Sequence, residues 1–381
     1  MILRKFMKNY FVALFFLLAL FVSSSAQKKT DSNDEVAHQF TDAAMDGNLE
    51  AVKSMLASGV NIDIEPSGHK GWTALMAAST SGKTTLVKYL ISRGANVKVK
   101  LEKGETTLIQ SAQSDDNQEI VEALLKAGVE TDAQTKEGLT ALMRFAWMKQ
   151  STAVKSLLDA GANPKIKNEN GWTAFYFACS HGNDEKIVKY LLAAGANPNE
   201  KYAKGQTPLM WTGWGERAEN FKALIAAGAD VNAKDNDGKT PLMISSARFF
   251  QNEVKLLLDA KADVKAKDKK GWNALMFASK SVFRRDEFGA HGDGMIVWLG
   301  ATKIIEQLIS AGIDVNAQNN DGETALMLAI KAGNAHFAET LLAKGANPNI
   351  KNKAGKTAGD YADKNYNKRR DFLLKMSGDI K

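Results

Sequence analysis

One short phrase returns along the chain at a nearly fixed interval. Gly71-Trp72-Thr73-Ala74-Leu75-Met76, Gly138-Leu139-Thr140-Ala141-Leu142-Met143 and Gly205-Gln206-Thr207-Pro208-Leu209-Met210 are three of its copies, and Gly238, Gly271 and Gly322 open three more. The opening glycines stand at 71, 104, 138, 171, 205, 238, 271, 322 and 355, so every step is 33 or 34 residues except one of 51. A fixed period of this length is the mark of a stacked array, in which no unit buries enough apolar surface alone and each is stabilised by its neighbours. An array presents a long surface instead of an enclosed site, which points to binding rather than chemistry.

Each unit reads as two helices. Threonine is a favoured N-cap and proline is favoured at the first helical position, so Thr207-Pro208 and Thr240-Pro241 start a first helix rich in Leu, Met and small residues. A second helix follows. Leu86, Val87, Leu90 and Ile91 recur at spacings of three and four, which makes one buried stripe, and Gly94 stands where a helix ends in a left-handed turn. Ala77-Ala78 allows the two helices to approach closely.

The second half of the unit is equally regular. Leu191-Leu192-Ala193-Ala194-Gly195-Ala196-Asn197-Pro198, Leu224-Ile225-Ala226-Ala227-Gly228-Ala229-Asp230 and Leu341-Leu342-Ala343-Lys344-Gly345-Ala346-Asn347-Pro348 are nearly superimposable. With the glycine turn, Thr-[Ala/Pro]-Leu and paired small residues, this pattern resembles the ankyrin repeat. The resemblance covers nearly all of the chain after its N-terminal segment, with nine clear or partial units between about Phe40 and Asn352 and a truncated last one. It implies an all-α, ankyrin-repeat solenoid of stacked helix-turn-helix units joined by short β-hairpin-like turns. The expected organisation is a signal peptide over 1–26, a disordered leader over 27–36, the array over 37–362 and a polar capping helix over 363–381.

Three departures from the family pattern stand out. The family's histidine is replaced by Met76, Ile109, Met143, Met210, Met243, Met276 and Met327, which exchanges a side-chain hydrogen bond for flexible packing. The glycine that closes the second helix is Lys261 in the unit opened by Gly238, where a left-handed turn costs a non-glycine residue about 1 to 2 kcal/mol. The long step holds an insertion over 281–298, expected to project from between the two helices of its unit.

The N-terminus carries a separate signal. Arg4, Lys5 and Lys8 precede an apolar run from Tyr10 to Val22 and then Ser23-Ser24-Ser25-Ala26, the three regions of a secretory signal, with cleavage expected after Ala26. A membrane-spanning helix needs about 18 or more apolar residues and this run is shorter, so no stable membrane insertion is expected after cleavage. No cysteine lies near the cleavage point to take a lipid. The phenylalanine-rich apolar run, the absence of a cysteine framework and the lysine-heavy chain read as bacterial, and the compartment as periplasmic or exterior.

The formal charge of +7 includes three cations of the signal, which leaves about +4 on the rest, with lysines and acids intermingled. No patch marks a nucleic-acid ligand. No catalytic constellation, cofactor motif or metal set emerges. Cys179 beside Ala178 reads as a small buried thiol, and His181 is too close along one helix to face it. His291-Gly292-Asp293-Gly294 offers too few ligands for a metal. Ser81-Gly82-Lys83-Thr84-Thr85 lacks the glycine spacing and preceding strand of a phosphate loop and reads as the turn between helices.

By the resemblance, partners bind the concave face made by the turn tips and first helices, through the residue after the opening glycine and those nine or ten after it. Trp72, Trp172 and Trp272 occupy the first position; Trp147, Met148, His181, Trp214 and Arg248 occupy the later band, as do Ser180 and Lys280. Tryptophan dominates interface hot spots. Phe288 and Trp298 add contact residues in the insertion. The expected function is a non-catalytic exported scaffold binding an envelope or host protein; the alternative is a carbohydrate or cell-wall binding module in which the rings stack on sugars.

Overall fold

The computed structural model describes residues 33–115, 117–181, 184–211, 218–280 and 294–361, without the side chains of 181 and 294–301. The signal segment, most of the leader, Trp214, Phe288 and the 363–381 tail therefore lie outside the described residues. Two compact units divide the chain, one through Phe175 and one from Tyr176.

In the first unit the helices are α1 (33–46), α2 (Leu49–Ala57), α3 (Ala74–Thr80), α4 (Thr84–Ser92), α5 (Thr107–Gln110, extended by a 3-10 turn over Ser111–Gln113), α6 (Gln118–Lys126), α7 (Ala141–Trp147) and α8 (Ser151–Asp159). The second begins inside α9 (Ala174–His181). It continues with α10 (Glu185–Ala193), α11 (Pro208–Trp211), α12 (Ala218–Ala226), α13 (Pro241–Ala247), α14 (Gln251–Asp259), α15 (Ala274–Lys280), α16 (Gly294–Ser310), α17 (Ala325–Lys331) and α18 (Ala335–Ala343). Among the described residues no strand forms, and β pairing is confined to isolated bridges at two tips, Lys100 with Thr106 and Gln318 with Thr324. The fold is the all-α repeat solenoid that the periodicity predicts.

First helices start as their sequences dictate. The Thr73, Thr106, Thr140, Thr240 and Thr324 hydroxyls accept the backbone N–H three residues on, at 3.2–3.4 Å, and Asn273 does so at 3.0 Å. Thr207 is the exception, its hydroxyl buried without such a bond. The residues replacing the family's histidine are all core, from Met76 at 0% exposed to Ile109 at 5%. Second helices bury the expected stripe, shown by Leu86, Val87 and Leu90 in α4 and by Ile187, Val188 and Leu191 in α10. Cys179 is buried, and Ser81 to Lys83 form the turn between α3 and α4.

At six steps neighbouring tips are tied by a backbone bond. The carbonyl of the residue before the opening glycine accepts an N–H from the next tip: Lys103 from Lys136 (2.8 Å), Glu137 from Glu169 (3.1 Å), Lys204 from Asn236 (2.9 Å), Asp237 from Lys269 (2.9 Å), Lys270 from Asn320 (3.0 Å) and Asp321 from Lys353 (3.0 Å). A second tie runs through side chains. Asp63, Asp132, Asn199, Asn232 and Asn316 each accept a backbone N–H from the next repeat, 33 residues on for Asp63 and 31 for the others, at 2.7–2.9 Å.

Lys261 adopts the left-handed conformation, with φ 65°, and keeps the family's turn: its N–H reaches Leu258 at 3.0 Å and that of Ala262 reaches Leu257 at 2.9 Å. At the equivalent Gly94 and Gly161 an added Cβ would meet nothing within 4 Å, so the lysine is strained by its φ alone. Lys261→Gly is expected to stabilise the protein by about 0.5 to 1 kcal/mol. Urea unfolding checks this, and a lower midpoint would contradict it. Lys149 and Phe249 are also left-handed, at φ 61° and 60°, where the turn between helices elsewhere uses Gly82 and Gly333; the sequence reading passed over both.

Two boundary expectations change. Polarity places residues 33–36 in the leader, yet they form the start of α1. Acidic Asp34 and Glu35 suit a helix N-terminus, and the Asp34 carboxylate accepts the Ser67 N–H at 2.6 Å, a bond that lowers its pKa. The insertion over 281–298 is expected to project from between the two helices of its unit. Residues 281–293 lie outside the described set, but 294–298 open α16, which runs 17 residues where the other second helices have nine. Its repeat register resumes at Ile304 and Ile305, both fully buried.

Candidate functional site

Each tip is closed by its own backbone before it can present anything. In the Gly271 tip, the Asp268 N–H donates to the Trp272 carbonyl at 2.9 Å and the Gly271 N–H to the Asp268 carbonyl at 3.0 Å. The buried Asp268 carboxylate accepts the N–H groups of Lys270 and Trp272 at 2.9 and 2.8 Å. This loop fixes the residue after the opening glycine beside the first helix, because Asn273 caps α15 immediately afterwards.

In the second unit this geometry builds a cleft of about 450 Å³. Trp272 and Phe277 form its apolar wall, with ring centroids 5.4 Å apart and planes tilted by 53°. The Lys280 ammonium stands 4.8 Å from the Trp272 centroid and the Lys239 ammonium 5.9 Å from that of Phe277. Lys269 and Lys270 line it from the tip. The Asp237 carboxylate, exposed, accepts from Lys239 at 3.0 Å, and that bond, with Lys269 and Lys270 nearby, lowers its pKa. A smaller hollow of about 200 Å³ shares Lys239 and Phe277 and continues along α13 past Ile244 and Ala247 to Arg248. Burial lowers the Arg248 pKa, and its guanidinium donates to the Met210 carbonyl at 3.5 Å.

Of the residues singled out from sequence, Arg248 and Trp272 thus come together around these hollows, with Lys280. In the first unit Trp147 and Met148, at the end of α7, are 41% and 40% exposed, and the Arg144 guanidinium lies 5.3 Å from the Trp147 centroid. Trp72 and Trp172 are partly buried in their own tips, where the Trp172 N–H donates to Asn168 at 2.9 Å. His181 closes α9, but its side chain is outside the described set; Trp298 is on α16 with its side chain likewise outside.

The sequence reading missed the position six after each opening glycine. In five units it holds Arg144, Phe177, Trp211, Ile244 and Phe277, one helical turn before the later band, and in Ile244 and Phe277 it lines the hollows. The signal was partial: in these five units a large or charged side chain follows the Met position, where the unit opened by Gly71 has Ala77. It also supplies a cluster in which Tyr176 meets Tyr202, Trp211 and Phe177 at 5.0, 5.3 and 5.6 Å, and burial raises the Tyr176 pKa. Among the described residues no group of three or more metal-ligating side chains assembles, and no helix is long and apolar enough to cross a membrane.

Helix pairs at a fixed period, tied tip to tip within each unit, define a helical repeat protein. The model for ankyrin repeats in three copies matches residues 40–135, 108–202, 142–235 and 209–287, and that for many copies matches 308–362. The chain belongs to the ankyrin repeat family, whose arrays are scaffolds for protein–protein interaction. It is 40% identical over 83 residues to SH3 and multiple ankyrin repeat domains protein 2 of Homo sapiens, covering 22% of this chain and 4% of that protein. It is 29% identical over 140 residues to a putative ankyrin repeat-containing protein of Treponema pallidum (strain Nichols), covering 36% and 46%. A match of 28% identity over 145 residues to L-asparaginase of Dirofilaria immitis covers 38% and 24%. The chain spans less than half the length of each of these relatives.

Proposed function

We propose that this protein is an exported, non-catalytic ankyrin-repeat scaffold that holds a protein partner on the face made by its turn tips and first helices. The observation that carries this reading is the placement of Trp272, Phe277, Lys239, Lys280 and Arg248 around adjoining hollows on one such face. Aromatic and arginine side chains in a partly desolvated setting are the residue types that dominate protein interfaces. The likeness to L-asparaginase covers a quarter of that enzyme and is read as shared repeats.

Sugar stacking is less well supported. A planar ring offers its face to a sugar, yet Lys280 stands close to the Trp272 ring and Arg144 close to that of Trp147. Affinity capture from native envelope extract, run beside a glycan panel, tests the choice. Specific retention of a protein supports the scaffold, and retention of glycan alone overturns it.

Export rests on the signal pattern over residues 1–26. Expressed in a bacterial host, the mature chain is expected to begin at or near Gln27 and to appear in the osmotic-shock fraction. Mass spectrometry that finds intact Met1 or Met7 in the cytosol would remove this part of the proposal.

A further inference from the structure

The aromatic cleft of the second unit is unusual in its charge. Lys239, Lys269, Lys270 and Lys280 surround it against two carboxylates, Asp237 and Asp268, an excess of two positive charges. Both carboxylates are already engaged. Asp268 is buried and accepts two backbone N–H groups of its own tip, and Asp237 accepts from Lys239. Lys269, Lys270 and Lys280 are exposed to solvent, so the charge a ligand meets at the rim is positive. The wall between them is apolar, formed by the Trp272 and Phe277 rings.

Size and continuity narrow the ligand further. The cleft, at about 450 Å³, lies within the range of about 300–1,000 Å³ typical of ligand pockets. It does not end at one repeat, because the second hollow shares Lys239 and Phe277 and leads on to Ile244 and Ala247. Packed helices lie about 8–10 Å apart, and an extended peptide covers that distance in about three residues at about 3.3 Å each. A simple inorganic anion would use the lysines and leave the rings and second hollow unfilled. A neutral apolar peptide would leave the ammonium groups without partners.

We infer that this cleft takes an extended acidic peptide segment that places an aromatic or aliphatic side chain against Trp272 and Phe277, with Asp or Glu on either side paired to Lys269, Lys270 and Lys280. The inference rests on the protein-scaffold reading and specifies the chemistry of its partner. The lysines are point charges on flexible stems, so they steer an acidic segment without imposing one geometry, and the apolar side chain supplies the register.

The test uses the full mature chain and fluorescently labelled nine-residue peptides in which Asp or Glu alternates with Phe or Leu. Controls are the Lys-for-acid counterparts, an oligo-aspartate of equal length and a single-stranded ten-nucleotide DNA. The acidic-apolar peptides are expected to bind, with affinity falling as salt rises. The double variant Lys269→Glu/Lys270→Glu, which alters exposed side chains, and the single variant Trp272→Ala are each expected to weaken binding by about tenfold or more, equivalent to about 1.4 kcal/mol. Circular dichroism and melting establish that each variant is folded; should Trp272→Ala fail to fold, Lys280→Glu replaces it.

Equal binding of oligo-aspartate would reduce the site to bare charge and overturn the inference, as would tighter binding of DNA. Binding unaffected by both variants, or appearing only after deletion of 281–293, would place the contact elsewhere or show the cleft covered by the chain itself. The scaffold reading is tested separately through Trp147→Ala in the first unit, so loss of the acidic-peptide site leaves that reading measurable.

Discussion

Gly138→Ala is expected to destabilise the first unit by about 2 to 5 kcal/mol, from about 1 to 2 for an alanine held at positive φ and about 1 to 3 for a forced contact in a packed place. Gly138 has φ 78°, and a Cβ built there would lie 2.9 Å from the Asn168 Cα and 3.2 Å from the Glu169 nitrogen. Those atoms belong to the next tip, which is tied back to this one by the Glu169 N–H on the Glu137 carbonyl. The side chain would therefore break a junction between repeats, not merely strain a turn. Gly161 provides the control. Its φ is 86°, but the added Cβ meets nothing within 4 Å, so Gly161→Ala is expected to cost only the conformational part, about 1 to 2 kcal/mol. Urea unfolding of the two variants separates the contributions. Equal losses would show that the tip-to-tip approach contributes little.

This contrast explains why the fold was so legible. The glycines that open the repeats and those that close the second helices share a conformation. Most of the opening ones, though not Gly171 or Gly355, also admit the neighbouring tip, and both demands leave the same letter at the same interval. Caps are local too, so Thr73, Thr140 and Thr240 could be placed from sequence spacing. The Met residues at the family's histidine position could be assigned to packing because the helix carrying them is covered on nearly every side. What local pattern did not reveal was substitution without loss of conformation. Lys149 and Phe249 hold left-handed turns that carry no glycine, and the strain at Phe249 coexists with its stacking on Phe337, at 5.5 Å between centroids and 14° between planes.

The candidate site was legible only as a band of positions. Counting from the opening glycine placed Trp272, Arg248 and Lys280 on one face, and the hollows contain all three. The same count gave equal weight to Trp72 and Trp172, which are partly buried as Trp272 is. Phe277 was passed over. A large apolar residue inside a first helix reads as core, and its half-exposure follows from the small Ala278 and Ser279 after it taking the buried face.

The sharpest separation of core from contact lies within α7, where two aromatic residues stand two positions apart. Phe145 is 0% exposed and Trp147 is 41% exposed, because successive residues on a helix turn by about 100° and the pair therefore faces widely different directions. Phe145→Ala is expected to cost about 3 to 5 kcal/mol of folding free energy, the range for buried aromatic truncation. Trp147→Ala, losing a ring that already meets water and a cation–π contact with Arg144 worth about 0.5 to 1 kcal/mol at an exposed site, is expected to cost about 1 kcal/mol or less. If the face is the contact surface, the order reverses for binding. Trp147→Ala then weakens capture of the protein partner by about 2 kcal/mol or more, as truncation of an aromatic anchor does. Denaturant midpoints and partner titration on the same two variants supply both numbers. A large folding loss for Trp147→Ala with unchanged affinity would show that this ring belongs to the packing of its own repeat and would remove it from the interface.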